Sequence, residues 1–496
     1  MIGIGHGARK KTQSGLLFVL GICCLVFETS GCRIARPFCG LAQPLPAEDY
    51  REVEQWAGQP AAAAIEEPVG LPPEYESFWS SPQPLDTYLR RALEQNPAIH
   101  SARYQLQAAN ARMVQAASLD DPMLTVQGWP FFPYVPQTAA GLMTAELMVA
   151  QQVPWKGKLK ARTAMVSEEV QAARAQLAVA ELETIERVKH AYYELQSIQR
   201  TIRTIEQDRQ ALMELVRVAT ARYEVNQATQ QEVLRLQTEL SNVDMELARF
   251  NQELAAARAE MARLLHVSPE TPFIVDETVA PLSAPQQIDH LYAQAIAVRP
   301  ELQAQLAEIQ RGQYAVELAR LNYYPDPQFQ VGWAEMTTRR ALSPVADGLD
   351  MITVGMTINL PVYRARLEGA VREAEASVVA TARQYDALRD NTLQEVKRLF
   401  AQATAQQEMI GLLRESILPK TEQAYQVSVR GYQVGQVPFA DLLSVWRDLL
   451  RYHVMLIRLE TQFQQTLASL ERVVGGLSPE PAVPAPTAEL SSGDAP

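Results

Sequence analysis

Cysteine is nearly absent from this chain of 496 residues, and the few that occur lie close to its amino terminus. They are Cys23, Cys24, Cys32 and Cys39, and none follows. The remainder of the chain therefore contains no disulfide and no metal site built on cysteine. Histidine is also scarce and scattered, so the sequence indicates no other metal site, no cofactor and no enzyme.

Runs of positive charge and membrane-length apolar stretches are lacking as well. The formal net charge is −12 at pH 7 without any Lys/Arg-rich run, which argues against nucleic acid as a partner. The apolar run near the amino terminus, LLFVLGICCLVF, covers about 12 residues and is too short to span a bilayer comfortably.

The residues around this apolar run have the layout of an exported precursor. Basic residues at 9–11 precede it and TSGC at 29–32 follows it. The small residues before Cys32 resemble a bacterial lipobox, in which the cysteine is diacylated and becomes the mature amino terminus. A threonine stands where leucine is usual, so ordinary signal cleavage and an uncleaved anchor stay open. We predict a signal peptide over 1–31 and a lipidated, Pro-rich leader over 32–84.

Two similar stretches organise the rest of the chain. RYEVNQATQQEV begins at Arg222 and GYQVGQVPFADL begins at Gly431, each between long segments of helical pattern. Each stretch therefore predicts the bend of a helical hairpin. Such a bend needs a residue that tolerates positive φ, and Asn226 and Gly435 occupy matching positions.

Downstream of each bend, apolar residues alternate at spacings of three and four, as in the seam of a coiled coil. The first seam comprises Val233, Leu236, Leu240, Val243, Leu247, Phe250, Leu254, Ala257, Met261 and Leu264. The second comprises Leu442, Val445, Leu449, Tyr452, Leu456, Leu459, Phe463, Thr466 and Leu470. The chain is therefore one unit written twice, and we predict repeats over 85–287 and 288–475 followed by a flexible tail over 476–496.

Each repeat is predicted to begin with a helix that a proline interrupts, at Asn96-Pro97 and at Arg299-Pro300. Each of these helices then ends at an Asp-Pro pair, where the chain should become extended. A long helix should follow the strands, in the first repeat from about Lys158 to Tyr223. Pro419 predicts a local kink in the second.

Two extended segments per repeat lie between these helices, joined by predicted loops over 130–144 and 334–350. Those of the second repeat alternate clearly. We predict that one face contacts lipid, through Phe329, Val331, Ile352, Val354 and Ile358. Gln330, Thr353 and Thr357 lie on the other. Four strands cannot close a barrel, but three chains would supply about twelve, within the usual range.

This organisation and the two tip motifs, RYEVNQ and GYQVGQ, resemble the TolC family of trimeric outer-membrane efflux channels over about residues 85–475. The resemblance implies a mainly α protein with a small β part. Its duplicated long hairpins would form a periplasmic α-barrel tunnel, and four strands per chain would join a shared β-barrel. It implies a homotrimer in the outer membrane that works with a periplasmic adaptor and an inner-membrane pump as a passive conduit for small molecules. The alternative is a lipid-anchored periplasmic coiled-coil protein without a pore.

The resemblance also implies a gate at the hairpin tips. Glu232 falls where a linking carboxylate is found, Tyr432 where its hydroxyl partner is found, and Asp441 on a constricting ring of aspartates. Val437 and Ser444 depart from the family pattern, which predicts a weaker latch. The adaptor would meet the residues Tyr223, Val225, Asn226, Val434 and Gly435, together with Tyr432.

Two questions stay open at this stage. Glu232 and Asp441 could each serve only as the acidic residue that a helix prefers in its first turn. The stretch QQVPWKGKLKAR at 151–162 resembles heavy-metal efflux members of the family. The pump chooses the substrate, however, so the sequence leaves the cargo open between a metal ion and a drug or another small molecule.

Overall fold

A computed structural model of the chain describes residues 79, 81–129, 135–277 and 283–476. The predicted signal peptide, Cys32 and the tail beyond residue 476 lie outside the described residues. The helices are α1 (Leu85–Gln95), α2 (Pro97–Ala117), α3 (Lys158–Glu224), α4 (Gln230–Leu265), α5 (Ile288–Val298), α6 (Pro300–Leu321), α7 (Arg364–Leu412), a π-helical segment (Leu413–Ile417), α8 (Leu418–Gln433) and α9 (Phe439–Val474). The strands are β1 (Met123–Gly128), β2 (Gln137–Thr138), β3 (Gly141–Gln152), β4 (Pro327–Thr337) and β5 (Met351–Ile358).

The predicted helix breaks at both Xaa-Pro pairs are confirmed. Asn96 and Arg299 have extended ψ values of 124° and 120°, and the following prolines begin α2 and α6. A residue before proline is disfavoured in the α region, which explains both breaks. The Asn96 side chain also accepts a hydrogen bond from the backbone N–H of Ala98 at 2.9 Å, so it satisfies a free donor at the start of α2.

The kink predicted at Pro419 takes a specific form. The regular α-helical pattern of α7 gives way to π-helical turns over Leu413–Ile417 directly before α8, where Pro419 lies in the first turn. A proline has no N–H to donate and its ring collides with the preceding turn. The wider π-helical turns accommodate the proline, so that the helix continues into α8 without a break.

The strands form one antiparallel sheet in the order β1-β3-β4-β5. The short strand β2 pairs with the amino-terminal end of β3. β3 begins at Gly141, inside a stretch predicted to be loop. It starts earlier because Leu142 and Met143 pair with the end of β4, across a register shift between Met143 and Ala145. The hydrophobic alternation of β3 changes at this β-bulge, which is why the sequence pattern did not reveal the strand's beginning.

Two compact units are present among the described residues. The sheet unit comprises Gln105–Ala173 and Gln305–Gln384, and the hairpin unit comprises residues 79–104, 174–304 and 385–476. The predicted seams lie inside the hairpin unit, where Leu236, Val243 and Phe250 are buried in one hydrophobic cluster with Leu442 and Trp446. None of the seam residues is exposed, so the prediction of a coiled-coil seam after each bend is confirmed.

A second cluster of the hairpin unit contains a residue from the predicted leader. Trp79 is 3% exposed and packs against Tyr88 and Phe273 at ring-centroid distances of 5.1 and 5.5 Å. Gln83 forms a parallel bridge with Val275 nearby. The end of the leader is thus part of the folded core, although its sequence has no periodicity. Within the described residues, no helix has both the length and the apolar character needed to cross a bilayer.

Candidate functional site

The first bend is a tight turn between α3 and α4. Asn226 has φ 59°, and its N–H donates to the carbonyl of Tyr223 at 3.0 Å. Thr229 is the N-cap of α4 and forms a capping box with Glu232. In this box the Thr229 hydroxyl accepts from the Glu232 N–H at 3.4 Å, while Glu232 Oε1 accepts from the Thr229 N–H at 3.4 Å. The bend therefore satisfies two of the free backbone donors at the helix start.

The second bend repeats the turn but not the cap. Gly435 has φ 77°, and its N–H donates to the carbonyl of Tyr432 at 3.1 Å. The N-cap of α9 is Pro438, whose side chain caps nothing. Gly431 has its α-carbon so close to the Val437 side chain that a Cβ at this position would collide with it. Close packing therefore requires glycine at position 431, whereas Gly435 supplies the positive φ of the turn.

A hydrogen bond joins the two bends. Tyr432 Oη donates to Glu232 Oε2 at 3.0 Å. Because the capping box uses Oε1 and the link uses Oε2, one carboxylate serves both purposes at once. The helix-capping role and the linking role of Glu232, which were alternatives at the level of the sequence, are therefore compatible.

The surroundings of Tyr432 keep its hydroxyl a donor. Its side chain is 3% exposed and packs against Phe439 at a centroid distance of 6.0 Å. Burial raises the pKa of Tyr432 to about 12, and the hydrogen bond to the Glu232 carboxylate acts in the same direction. The proton therefore stays on the phenol throughout the physiological range, and Tyr432 loses its ability to donate as the pH rises towards 12.

Arg222 makes a second link between the bends, which the sequence did not suggest. Its Nη1 donates to the backbone carbonyl of Tyr432, and its guanidinium lies 4.6 Å from the centroid of the Tyr432 ring. Its Nη2 donates to the carbonyl of Gln227 at 3.3 Å. One side chain thus contacts its own bend and the opposite one. The weaker latch predicted from Val437 did not take this contact into account.

The remaining tip residues lie on the surface. The exposed fractions of Tyr223, Val225 and Val434 are 44%, 61% and 69%, which is high for aromatic and apolar side chains. Asp441 is also exposed, and within the described residues its carboxylate has no hydrogen-bond or ion-pair partner. Exposed apolar side chains at both bends have the composition of a docking surface.

A further ion pair joins the hairpins beyond the bends. Arg447 on α9 pairs with Glu239 on α4. Deeper in the hairpin unit, Glu460 is 5% exposed and accepts from Arg200 at 2.8 Å and from Arg414 of the π-helical segment at 2.5 Å. A carboxylate at this depth requires such pairing, since an unpaired buried charge is costly.

Comparison with known protein families identifies the chain. The model of the family described as outer membrane efflux protein matches residues 88–266 and 291–476, which is most of the chain and includes both bends. The chain belongs to this family. The predicted resemblance to TolC-like efflux channels is therefore confirmed, and so is the prediction of an outer-membrane channel for tripartite efflux.

Individual relatives agree with this assignment. The efflux channel is 21% identical over 420 residues to the cobalt-zinc-cadmium resistance protein CzcC of Cupriavidus metallidurans, covering 84% of this chain and 95% of that protein. It is 22% identical over 297 residues to the outer membrane efflux protein BepC of Brucella suis, covering 59% of this chain and 63% of that protein. The crystal structure of VceC from Vibrio cholerae superposes with a TM-score of 0.66 at 21% identity, covering 79% of this chain and 96% of that chain. The predicted fold class is thus confirmed.

The strands of the efflux channel bring the predicted barrel residues to one face. Val331 pairs with Val354, Trp333 with Ile352, Phe329 with Met356 and Pro327 with Ile358. The polar residues pair separately, with Gln330 opposite Gly355 and Thr353 opposite Gly332. Because cross-strand partners point to the same side of a sheet, one face is apolar and the other is polar or small. The lipid contact of the apolar face stays a prediction.

Proposed function

We propose that three copies of this chain assemble into one outer-membrane channel and share a single β-barrel. The observation that carries the proposal is the open sheet. Within the described residues, β1 and β5 each have a strand partner on one side only. A strand edge exposed to lipid would leave its backbone groups unpaired, so neighbouring copies must cover both edges. Three copies of the four long strands give about twelve, within the usual range for such barrels.

The assembly state tests this proposal directly. The mass of the purified protein in detergent, corrected for bound detergent, is expected to be three times the chain mass. In planar bilayers the same preparation should give stepwise ionic currents. A monodisperse monomer, or a trimer without conductance, would favour the alternative of a coiled-coil protein without a pore.

The orientation of the sheet is testable by a matched pair of substitutions. Arginine at Val354, which is 81% exposed on the apolar face, should cost about 2 to 4 kcal/mol if it lies near the bilayer midplane. Arginine at the adjacent Thr353 should be tolerated, because that side chain would face the aqueous lumen. Heat resistance of the trimer on gels measures both. Equal losses would show that the apolar face is not the lipid face.

For the periplasmic end, we propose that the exposed apolar tip residues bind an adaptor protein, which connects the channel to an inner-membrane pump. Aspartate at Val225 or at Val434 should then abolish capture of the adaptor by the purified channel. Val427 offers a matched control, since it is 67% exposed but lies on α8 outside the bend. Loss of capture for Val427→Asp as well would contradict a tip-specific contact.

At rest, we propose, the links from Glu232 to Tyr432 and from Arg222 to Tyr432 hold the hairpins together and keep the tips closed. Asp441 would then line the narrow entrance. What supports this is that each link joins the two hairpins and that Tyr432 is buried while its partners lie at the tip. Each bond contributes only about 0.5 to 3 kcal/mol, which is small beside the binding free energy of a typical protein complex. Binding of an adaptor would supply the free energy that breaks them.

Anchoring and cargo complete the proposal. We propose lipidation of Cys32, tested by incorporation of a radioactive fatty acid, which Cys32→Ala should abolish.

For the cargo we propose divalent metal ions, because the relative CzcC is named for resistance to cobalt, zinc and cadmium. A strain that expresses this channel with its genomically adjacent pump and adaptor should tolerate these metals better than one without the channel. Protection against drugs but not metals would assign the other cargo.

A further inference from the structure

The end of the sheet where the strands pass into the long helices has a distinctive side-chain composition. Lys156, Lys160 and Arg162 follow β3, and Arg364 and Arg366 follow β5. All five are exposed, and within the described residues none of them has a carboxylate partner. We call these five residues the basic collar. Three of the four cations in the stretch at 151–162 belong to the collar. The proposed channel mechanism gives these cations no role.

The backbone brings the two parts of the basic collar to one edge of the sheet. β3, β4 and β5 are neighbours, and their ends are tied across this edge. The Val153 N–H donates to the Pro327 carbonyl at 2.9 Å, and the Asp326 N–H donates to Asn359 Oδ1 at 2.5 Å. Since adjacent strands lie about 4.8 Å apart, the segments after β3 and β5 begin about 10 Å from each other.

Asp326, which lies at this edge, does not neutralise the collar. Asp326 Oδ2 accepts from Nζ of Lys158 at 2.8 Å, and Lys158 is 4% exposed. Asp326 Oδ1 also accepts from the Trp155 N–H at 2.7 Å. This carboxylate is therefore used to join the strand ends.

Asp120 and Asp121 are exposed just before β1 at the same edge, and Glu368 of α7 pairs with Arg372. The two free aspartates can offset at most two of the five exposed cations, so the collar keeps an excess of positive charge.

Exposed aromatic rings lie between the two parts of the collar. Trp155 stacks on Tyr324 with 5.4 Å between centroids and 5° between planes, and both are substantially exposed. The Arg364 guanidinium lies 5.6 Å from the Tyr323 ring centroid, and Tyr363 is 75% exposed. Tryptophan and tyrosine are enriched where a protein passes through the headgroup region of a bilayer.

Helix stability does not account for these cations. α3 and α7 both begin within the collar, and neither has an acidic residue in its first turn. The positive end of the helix dipole is at the amino terminus, so lysine and arginine there are unfavourable for the helix itself. The helix dipole therefore gives no reason for their presence in both repeats, whereas a negatively charged surface outside the chain would stabilise them.

We propose that the basic collar and its aromatic rings bind anionic phospholipid headgroups in the periplasmic leaflet of the outer membrane. The cations pair with headgroup phosphates, and the rings lie at the boundary between headgroups and acyl chains. The proposal rests on the proposed barrel for the position of the bilayer. It adds a lipid preference, which neither transport nor trimer formation requires.

Lipid retention by the full-length protein tests this. The purified channel in detergent is incubated with equal amounts of phosphatidylglycerol and phosphatidylcholine that have the same acyl chains, and bound lipids are counted by native mass spectrometry. Phosphatidylglycerol should be preferred, and each neutralised cation should reduce the preference by up to about fivefold at low salt. The triple variant K156Q, K160Q and R162Q should therefore lose most of it.

A matched variant controls for net charge. R235Q, K397Q and R430Q together remove three exposed cations of the hairpin unit and should leave the lipid preference unchanged.

If the collar variant does not fold, the salt dependence of the wild-type protein tests the proposal. A lipid preference based on headgroup charge must decrease as the salt concentration rises from about 50 to 500 mM. The proposal is overturned by equal retention of both lipids, by a preference that salt does not change, or by equal losses in the two triple variants. Conductance of the same preparation shows whether the channel itself is intact, so failure of the lipid proposal is distinguishable from failure of the trimeric channel.

Discussion

The two hairpin bends have the same backbone turn and different side chains around it. At the position before the tip tyrosine, the first bend has Arg222 and the second has Gly431. The first-turn acid of the first bend, Glu232, is engaged twice, whereas that of the second, Asp441, has no partner within the described residues. Duplication has therefore given two halves that are complementary rather than equivalent. The first bend supplies the cation and the acceptor, and the second supplies the tyrosine that both contact.

The largest effect should come from the first-turn acids, which this comparison distinguishes most sharply. Glu232→Ala removes half of a capping box and the acceptor of Tyr432, which together should cost about 2 to 4 kcal/mol. Asp441→Ala removes only a favourable interaction with the helix dipole, worth about 0.3 to 1 kcal/mol. Thermal unfolding of the two variants measures both losses. Equal losses would mean that the two bends are equivalent after all.

Stability alone does not separate the latch from the cap, because Glu232→Ala destroys both. Tyr432→Phe removes the link and leaves the cap, at a cost of about 1.5 to 3 kcal/mol for a buried hydrogen bond to a carboxylate. Thr229→Ala removes the capping hydroxyl and leaves the link, at a cost of about 1 kcal/mol. Single-channel conductance should rise for Tyr432→Phe and stay unchanged for Thr229→Ala. An increase in both, or in neither, would contradict a gate at this bond.

The arginine link should have a somewhat smaller effect. Arg222→Lys keeps the charge but loses the planar group that stacks on Tyr432 and the fork that contacts both bends, so we expect a loss of about 1 kcal/mol and a partial increase in conductance. Arg217 provides the control, since its exposed pair with Glu214 on the same helix contributes little. Arg217→Lys should change neither quantity. If it changes conductance as much as Arg222→Lys does, the effect is one of general charge rather than of the contact with Tyr432.

Much of the hairpin architecture was predictable because local chemistry determines it. Proline determines the helix breaks at Asn96 and Arg299, and the seam follows from apolar spacing. The strand positions followed from alternation except near the β-bulge between Met143 and Ala145, where the register shifts. These features depend on residues that lie close together in the sequence.

The parts of the site that were missed depend on contacts between distant residues. The position of Arg222 above Tyr432 joins residues 210 apart, and the burial of Trp79 depends in part on its contact with the distant Phe273. One signal for Arg222 was present. The two tips match at their tyrosines, and an arginine opposite Gly431 at the preceding position marks a site where the copies have different roles.

The smallest expected effect tests whether the turn itself is the shared element. Gly435 and Asn226 both have positive φ, and asparagine tolerates this region better than other residues with a side chain. A Cβ at Gly435 would meet only Arg222 Nη2, at an ordinary contact distance of 3.6 Å, so there is space for a side chain. Gly435→Asn, which copies the first bend, should therefore change stability by no more than about 0.5 kcal/mol and leave conductance unchanged.

Gly435→Ala is the control. It has the same Cβ but lacks the polar group that makes positive φ tolerable, and it should cost about 1 kcal/mol or more. A loss for Gly435→Asn as large as that for Gly435→Ala would show that the second bend needs glycine for a reason other than its backbone conformation, such as close contact with the adaptor.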